Sequence, residues 1–231
     1  MEATEVRKLT ELEDDHWWYQ ERRHLLAQAA LGLTPGRALD VGAAGGGNTR
    51  VLDEAGWEVV AFEYGAEGAQ VAAGRDLDVV RGDAAALPFA DNSFDLVVAF
   101  DVLEHLRDHD ACVAAIHRAL TPEGTFLVAV PADPRLWSAH DEAVDHVRRY
   151  TRRSLTDLLV RGGFDVQEIW SWNVLLRPAV ALRRRQTSGS DLVAPNRVVN
   201  TVLRGIVAAE RHLPVRRLPG VSLMVTARPR P

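Results

Sequence analysis

A glycine-rich turn between a predicted strand and a predicted helix constrains the fold of this chain most strongly. Residues 37–51 have the sequence RALDVGAAGGGNTRV, in which a short apolar strand leads into glycines and then into a helix. Glycines let a backbone approach a ligand closely, and the first turn of a helix offers free N–H groups. The stretch therefore predicts a binding site for a nucleoside-type cofactor at the start of this helix.

Short apolar runs alternate with helical patterns five times between residues 37 and 130. The runs lack the apolar–polar alternation of a half-exposed sheet, and this favours parallel strands that are covered on both faces by helices. The predicted fold class is therefore α/β, with a doubly wound, mostly parallel sheet. Strands are predicted over residues 37–41, 57–62, 78–81, 93–100 and 125–130, and helices over residues 47–55, 65–74 and 108–120.

Small or acidic residues stand where several of these predicted strands end. Gly42, Glu63, Asp83 and Asp101 each follow a strand. Ligands of such sheets bind beyond the carboxyl ends of the strands, and an acid about twenty positions after the first glycine can accept both hydroxyls of a ribose. We therefore expect these four residues to share one rim.

The segments on either side of this core are predicted to complete a single domain over residues 1–231. A helix over 11–33 carries HWWY at 16–19 and either covers the edge of the core or forms a lid over a pocket. After the core comes a loop over 131–150. The remaining predictions are a helix at 154–162, a strand at 164–170, two or more helices within 173–213 that are split at 187–190, a strand at 222–228, and a disordered tail at 229–231.

In this interpretation the domain has four parts. They are an N-terminal lid helix (1–34), a cofactor-binding core (35–172), a helical insertion (173–213), and the last strand with its tail (214–231).

Charge is distributed unevenly along the chain. Residues 173–231 contain eleven arginines and two acids, a net charge of +9. Because the whole chain has a net charge of −5, residues 1–172 carry −14. An acidic front half disfavours nucleic acid as a partner. The Arg-rich tail is either a solvated surface or a weak contact for a membrane surface.

The remaining compositional features favour a cytoplasmic enzyme, which is expected to be a monomer or a homodimer. No apolar run approaches the ~20 residues of a membrane span, and the acidic N-terminus lacks the apolar core of a signal peptide. Cys112 is the one cysteine, so no internal disulfide is expected. No metal site is predicted.

Three motifs resemble the class I S-adenosylmethionine-dependent methyltransferases, in particular the small-molecule enzymes of the ubiquinone-biosynthesis type. They are LDVGAAGG, GDAAALPFADNSFDLVVAFDVLEHL and HVRRYTRRSL, and the resemblance spans about residues 37–164 and the terminal strand. It implies a seven-stranded sheet, with the last strand antiparallel between the fifth and sixth, and S-adenosylmethionine as cofactor. One departure is Ala44, which replaces the central glycine of the family's GxGxG.

The resemblance implies cofactor contacts at ten matching positions. For the methionine part and the transferred methyl these are Asp40, Gly42, Gly46, Phe100 and Asp101. For the ribose and adenine they are Glu63, Tyr64, Asp83, Ala84 and Leu87, with Glu63 on the ribose hydroxyls and Tyr64 and Leu87 on either side of the ring.

The methyl acceptor is predicted to be a small molecule that receives the methyl group on oxygen or nitrogen. A hydroxyl or ammonium acceptor requires a base, and His105 and His146 are the candidates, since histidine titrates near neutral pH. The neighbouring Glu104 is interpreted as a local structural feature. An acceptor that is already an anion requires no base and would instead bind polar side chains from a set of seven. They are Tyr19, Arg22, Arg23, His140, Arg148, Arg149 and Tyr150.

Two other functions remain open from the sequence. Gly42, Ala44 and Gly47 have the spacing of a dinucleotide fingerprint, which suggests an NAD(P)-dependent oxidoreductase. The missing middle glycine and the lack of a second catalytic domain disfavour it. The second alternative is a non-catalytic cofactor-binding protein that contacts a membrane surface through the Arg-rich tail.

Overall fold

Seven strands form one sheet in a computed structural model that describes residue 10 and residues 12–184 and 195–230. The spatial order is β3-β2-β1-β4-β5-β7-β6. The strands are β1 (Arg37–Val41), β2 (Glu58–Glu63), β3 (Asp78–Arg81), β4 (Phe94–Phe100), β5 (Leu120–Pro131), β6 (Phe164–Trp172) and β7 (Ser222–Pro229). The helix break predicted at 187–190 lies outside the described residues.

The direction of the strands confirms the predicted fold class. β1 pairs in parallel with β2 and β4, β2 with β3, and β4 with β5. β7 is antiparallel to both of its neighbours, β5 and β6, as the family resemblance implies. Because β1 to β4 are parallel, their carboxyl ends meet along one edge of the sheet.

Helices cover both faces of the sheet and bury two apolar clusters. They are α1 (Trp17–Ala30), α2 (Gly47–Glu54), α3 (Ala66–Ala73), α4 (His109–Ala119), α5 (Ala139–Ala143), α6 (Arg152–Arg161), α7 (Arg177–Arg184) and α8 (Arg197–Glu210). Ile116 of α4 and Leu158 of α6 pack on one face, and Leu26 of α1 and Leu52 of α2 on the other. Burial on both faces explains why the central strands β1, β2, β4 and β5 are mostly apolar.

Three local predictions are wrong. The predicted helix over 11–33 is interrupted, because residues 13–15 form a turn and a separate helix begins at Trp17, where the His16 Nδ1 accepts from the Trp18 N–H at 3.2 Å. The predicted loop 131–150 contains α5, which Ser138 and Asp141 start with reciprocal hydrogen bonds. The tail is ordered as far as Arg230, whose guanidinium donates to the carbonyls of Val160 and Phe164. No helix in the described part of the chain is long and apolar enough to cross a membrane.

Candidate active site

A cavity of about 410 Å³ opens at the carboxyl edge of the sheet. The glycine turn and the end of β4 form one wall, and α1, α7 and α8 contribute to the others. This arrangement places the predicted cofactor turn and the predicted acceptor helices around the same space.

Glu63 fixes the conformation of the glycine turn. Its carboxylate accepts from the Ala44 N–H at 2.8 Å and from the Gly65 N–H at 2.7 Å. Ala44 has φ +48°, a left-handed conformation that disfavours a side chain by about 1–2 kcal/mol. The hydrogen bond that Glu63 accepts therefore holds Ala44 in the conformation that the family's glycine adopts freely.

The glycines of the turn differ in what they face. Gly42 and Gly47 line the cavity, whereas Gly46 does not. Gly46 has φ +83°, and a Cβ there would lie 2.3 Å from Leu77 Cδ1. Gly46 is therefore required by backbone conformation and packing, and the prediction that it contacts the methionine part is not supported by its position.

The residues predicted to contact adenosine lie on neighbouring strand ends. Glu63 is opposite Arg81 in the register of β2 and β3, and its carbonyl accepts from the Gly82 N–H at 3.2 Å. Asp83 follows directly, and its carboxylate caps the Ala85 N–H at 2.9 Å. Nearby, the side chain of Tyr64 is 74% exposed, whereas Leu87 is buried in the core. The structure thus brings Glu63 and Asp83 to one rim.

Arg22 is an ion-pair partner of Asp101. Its guanidinium contacts the Asp101 carboxylate and lies 4.8 Å from the Phe100 ring centroid. Asp101 has φ +57°, so β4 ends there in a left-handed turn. Arg22 lines the cavity, but its charge is paired with Asp101 and its side chain is only 4% exposed, so these contacts do not support the prediction that it binds an anionic acceptor.

The other predicted acceptor residues divide into two groups. Those that line the cavity are Tyr19, Arg23, His140 and Arg149. Tyr150 and Arg148 lie outside its wall, so their positions do not support the prediction that they bind an acceptor. Tyr150 is 2% exposed and donates to the Leu103 carbonyl at 3.0 Å, and Arg148 contacts His109 at 2.8 Å. Arg149, by contrast, lines the cavity while it pairs with the buried Asp141.

Both predicted catalytic histidines line the cavity and adjoin a buried acid. The rings of His105 and His146 have centroids 4.8 Å apart. His146 Nδ1 lies 2.8 Å from Asp141 Oδ1, and its Nε2 lies 3.7 Å from Glu104 Oε1. Burial and the Asp101 charge raise the pKa of Glu104, while burial and the neighbouring His146 lower the pKa of His105 to about 4. We call Glu104, His105 and His146 the Glu–His–His cluster.

Comparisons with known proteins agree with this geometry. A family model described as a methyltransferase domain matches residues 39–128. A protein of Mycolicibacterium smegmatis named as an S-adenosylmethionine-dependent methyltransferase is 31% identical over 172 residues, which cover 71% of this chain and 66% of that protein. The chain belongs to the class I S-adenosylmethionine-dependent methyltransferases. The oxidoreductase alternative is therefore set aside.

Other proteins that resemble this chain have different acceptors in their names. A demethylmenaquinone methyltransferase of Renibacterium salmoninarum is 38% identical over 108 residues, 46% of each chain. Phosphoethanolamine N-methyltransferase 2 of Haemonchus contortus, solved with S-adenosyl-L-methionine, is 19% identical with a TM-score of 0.63, and the match covers 91% of this chain and 53% of that one. The chain thus spans about half to two thirds of the length of the curated relatives it matches.

The residues of the methyltransferase fit the cofactor of the family. The cavity is lined by the backbone of the turn at Gly42 and Gly47 together with Phe100 and the Asp101 carboxylate. Glu63 stands at the end of β2, where a carboxylate can accept ribose hydroxyls. This donor and acceptor set suits an amino acid joined to a nucleoside.

Glu13 and Asn173 are two polar residues of the cavity that the sequence did not single out. Glu13 is buried, and a Cβ on Gly47 would lie 2.2 Å from its Oε2, so this carboxylate contacts the glycine turn. Asn173 is fully buried in the wall, and no described residue bonds its side-chain amide. Neither has a local sequence signal, because folding brings both from distant segments to the turn and the cavity.

Asp40 beneath the turn makes stability depend on pH. It is 1% exposed, and burial raises its pKa to about 7, although the Thr49 hydroxyl donates to it at 2.7 Å. A raised folded-state pKa gives stability that is present below pH 4 and is lost as pH rises towards 7. Asp40→Asn should therefore gain roughly 2 kcal/mol of unfolding free energy relative to wild type between pH 5 and pH 8.

Urea unfolding of both proteins at the two pH values measures this difference. Asp53→Asn serves as the control. It removes an exposed carboxylate near the C-terminal end of α2 and should show no such gain. A constant difference between wild type and Asp40→Asn across this range would contradict the assignment.

Proposed function

We propose that this protein transfers a methyl group from S-adenosylmethionine to the oxygen of an ionisable hydroxyl on a small, mainly apolar acceptor. The observation that carries the proposal is the position of the Glu–His–His cluster. Its two histidines line the same cavity as the glycine turn and Asp101. A hydroxyl held there would have proton-accepting groups on one side and the methyl donor on the other.

In this proposal Glu63 holds the ribose, and Gly42, Phe100 and Asp101 border the methionine part. The cofactor supplies a sulfonium-bound methyl group. During transfer the S–C bond breaks with its electron pair remaining on sulfur, and an O–C bond forms as the hydroxyl proton leaves towards the cluster. Positioning of the two reactants can supply much of the rate enhancement. Arg22 acts as a positioning residue, because it orients Asp101 at the end of β4.

The wall of the cavity supports a flat, largely apolar acceptor. Trp17, Trp18 and Tyr19 of α1 face it together with apolar side chains of α7 and α8, among them Val180 and Leu203. Trp18 is itself held against Trp172, with ring centroids 4.4 Å apart. A phenol or hydroquinone fits this wall and agrees with the acceptor in the name of the demethylmenaquinone methyltransferase relative.

An anionic acceptor is less well supported. The charge of Arg149 is met by Asp141, whose Oδ1 lies 2.8 Å from its Nε, and Arg184 lies 3.9 Å from the same carboxylate. The positive charges of Arg149 and Arg184 are therefore partly balanced by Asp141, which leaves them less able to bind an anionic acceptor.

Mass spectrometry with S-adenosylmethionine carrying a labelled methyl group tests the proposal. Phenols and hydroquinones of increasing size are incubated with the protein, alongside the same compounds with the hydroxyl blocked as a methyl ether and alongside aromatic carboxylates. We expect label on the free hydroxyl compounds only. Label confined to carboxylates or amines, or no label on any acceptor, would overturn the proposed acceptor class.

A further inference from the structure

We propose that the Glu–His–His cluster binds one divalent transition-metal ion at the acceptor end of the cavity. One ligand atom each from Glu104, His105 and His146 lies within 4.8 Å of the others. The catalytic consequence of this site rests on the proposed function, whereas binding of the ion itself does not.

Glu104 is the observation that points to a cation. Its side chain is fully buried, and neither carboxylate oxygen has a hydrogen-bond partner among the described residues. A buried, unpaired carboxylate is strongly unfavourable unless it is protonated or bound to a cation. The Arg22 guanidinium, which could have paired with it, contacts Asp101 instead. His146 Nε2 lies 3.7 Å from Glu104 Oε1, beyond hydrogen-bond distance.

Both histidines are held as metal ligands are usually held. A metal-bound imidazole typically donates its other N–H to a carboxylate or a carbonyl, which fixes the ring. His146 has its Nδ1 2.8 Å from Asp141 Oδ1, and His105 has its Nδ1 3.3 Å from the Asp145 carbonyl. Asp141 is itself fixed by Arg149 and by the Ser138 N–H at 2.9 Å. The Nε2 atoms of both rings are therefore left for a ligand.

The donor set selects the class of ion. Two imidazoles and one carboxylate suit zinc and the neighbouring first-row ions better than magnesium or calcium, which prefer all-oxygen sites. Ligand atoms about 2.1 Å from a zinc ion lie roughly 3–4 Å apart, so binding would draw the three groups together by about an ångström. Because both histidines line the cavity, the remaining coordination positions face the acceptor.

A bound ion would ionise the acceptor hydroxyl directly. Coordination of a hydroxyl to a divalent cation lowers its pKa by several units. The proton leaves to water, the metal-held oxygen attacks the methyl carbon, and the sulfonium becomes a neutral thioether. The ion is neither oxidised nor reduced. With the ion bound, the histidines are ligands rather than bases, and loss of the proton to water replaces its transfer to the cluster.

Titration of chelator-treated, dialysed protein with Zn²⁺ or Co²⁺ tests the site. We expect one ion per chain by calorimetry, and a cobalt visible spectrum typical of nitrogen and oxygen ligands. Glu104→Gln and His105→Asn should each weaken binding about 100-fold or more, since they remove a ligand. His212→Asn, an exposed histidine outside the cavity, is the matched control and should leave affinity unchanged. Circular dichroism melting shows whether each variant is folded.

The outcomes separate this proposal from the proposed function. No binding at millimolar ion, or equal binding by wild type and the folded ligand variants, overturns the metal site. Methyl transfer that continues unchanged in chelator likewise overturns its catalytic role while the proposed function stands. Stoichiometric binding that depends on Glu104, together with no methylated hydroxyl acceptor, supports the metal site and overturns the proposed function instead.

Discussion

Replacement of Glu63 by alanine is expected to lower the affinity for S-adenosylmethionine about 100-fold. A charged acceptor that binds two ribose hydroxyls contributes about 1.5–3 kcal/mol for each hydrogen bond. The same carboxylate also holds the Ala44 and Gly65 N–H groups, so its loss releases the glycine turn. Calorimetric titration of wild type and variant with S-adenosylhomocysteine, the demethylated product, measures the effect.

Glu58→Ala is the matched control for this variant. Glu58 begins the same strand at the opposite edge of the sheet, where it pairs with Arg37 in solvent. Its removal should leave cofactor affinity within about twofold, since an exposed ion pair contributes little. Equal affinity of Glu63→Ala and wild type would contradict the assignment of Glu63 to the ribose.

Replacement of Asp141 by alanine is expected to destabilise the protein by about 3–5 kcal/mol. Asp141 is fully buried and pairs with Arg149, which is only 6% exposed, as well as with His146. Removing one partner of a buried ion pair leaves the other charge buried without compensation, and this is the source of the loss. Asp141 also caps α5 through the Ser138 N–H. Urea unfolding measures the free energy.

Glu142→Ala provides the comparison on the same helix. Glu142 is the exposed neighbour of Asp141, and its loss should change the unfolding free energy by no more than about 0.5 kcal/mol. A loss of less than 1 kcal/mol for Asp141→Ala would show that Arg149 and His146 are satisfied without it.

The fold could be predicted largely because its signals are local. The apolar run of β1 ends in glycines and β3 ends at Gly82, so both strands have the bounds that the sequence predicts. Gly42, Glu63, Asp83 and Asp101, which follow these strands, then lie along one edge of the sheet because β1 to β4 are parallel. The errors lie where a tertiary contact decides the outcome. Arg230 is ordered because it binds the end of α6 and the start of β6, which no local pattern reveals.

The candidate site was predicted less completely, because its chemistry depends on pairs that are distant in sequence. Arg22 was expected to be free for an anion, but it meets Asp101 from 79 positions away. Glu104 follows β4 in a turn and carries no periodic signal, so its burial without a partner becomes visible only in the structure. Tyr150 belongs to a polar motif, yet its ring is in the core and its hydroxyl binds the Leu103 carbonyl.

Calorimetric titration of the wild-type protein with S-adenosylhomocysteine, and separately with NADH, tests most directly whether the rim from Gly42 to Asp83 holds an adenosyl amino acid. We predict one-to-one binding of S-adenosylhomocysteine in the micromolar range and much weaker binding of NADH. The absence of binding by S-adenosylhomocysteine, or tighter binding of NADH, would contradict the account.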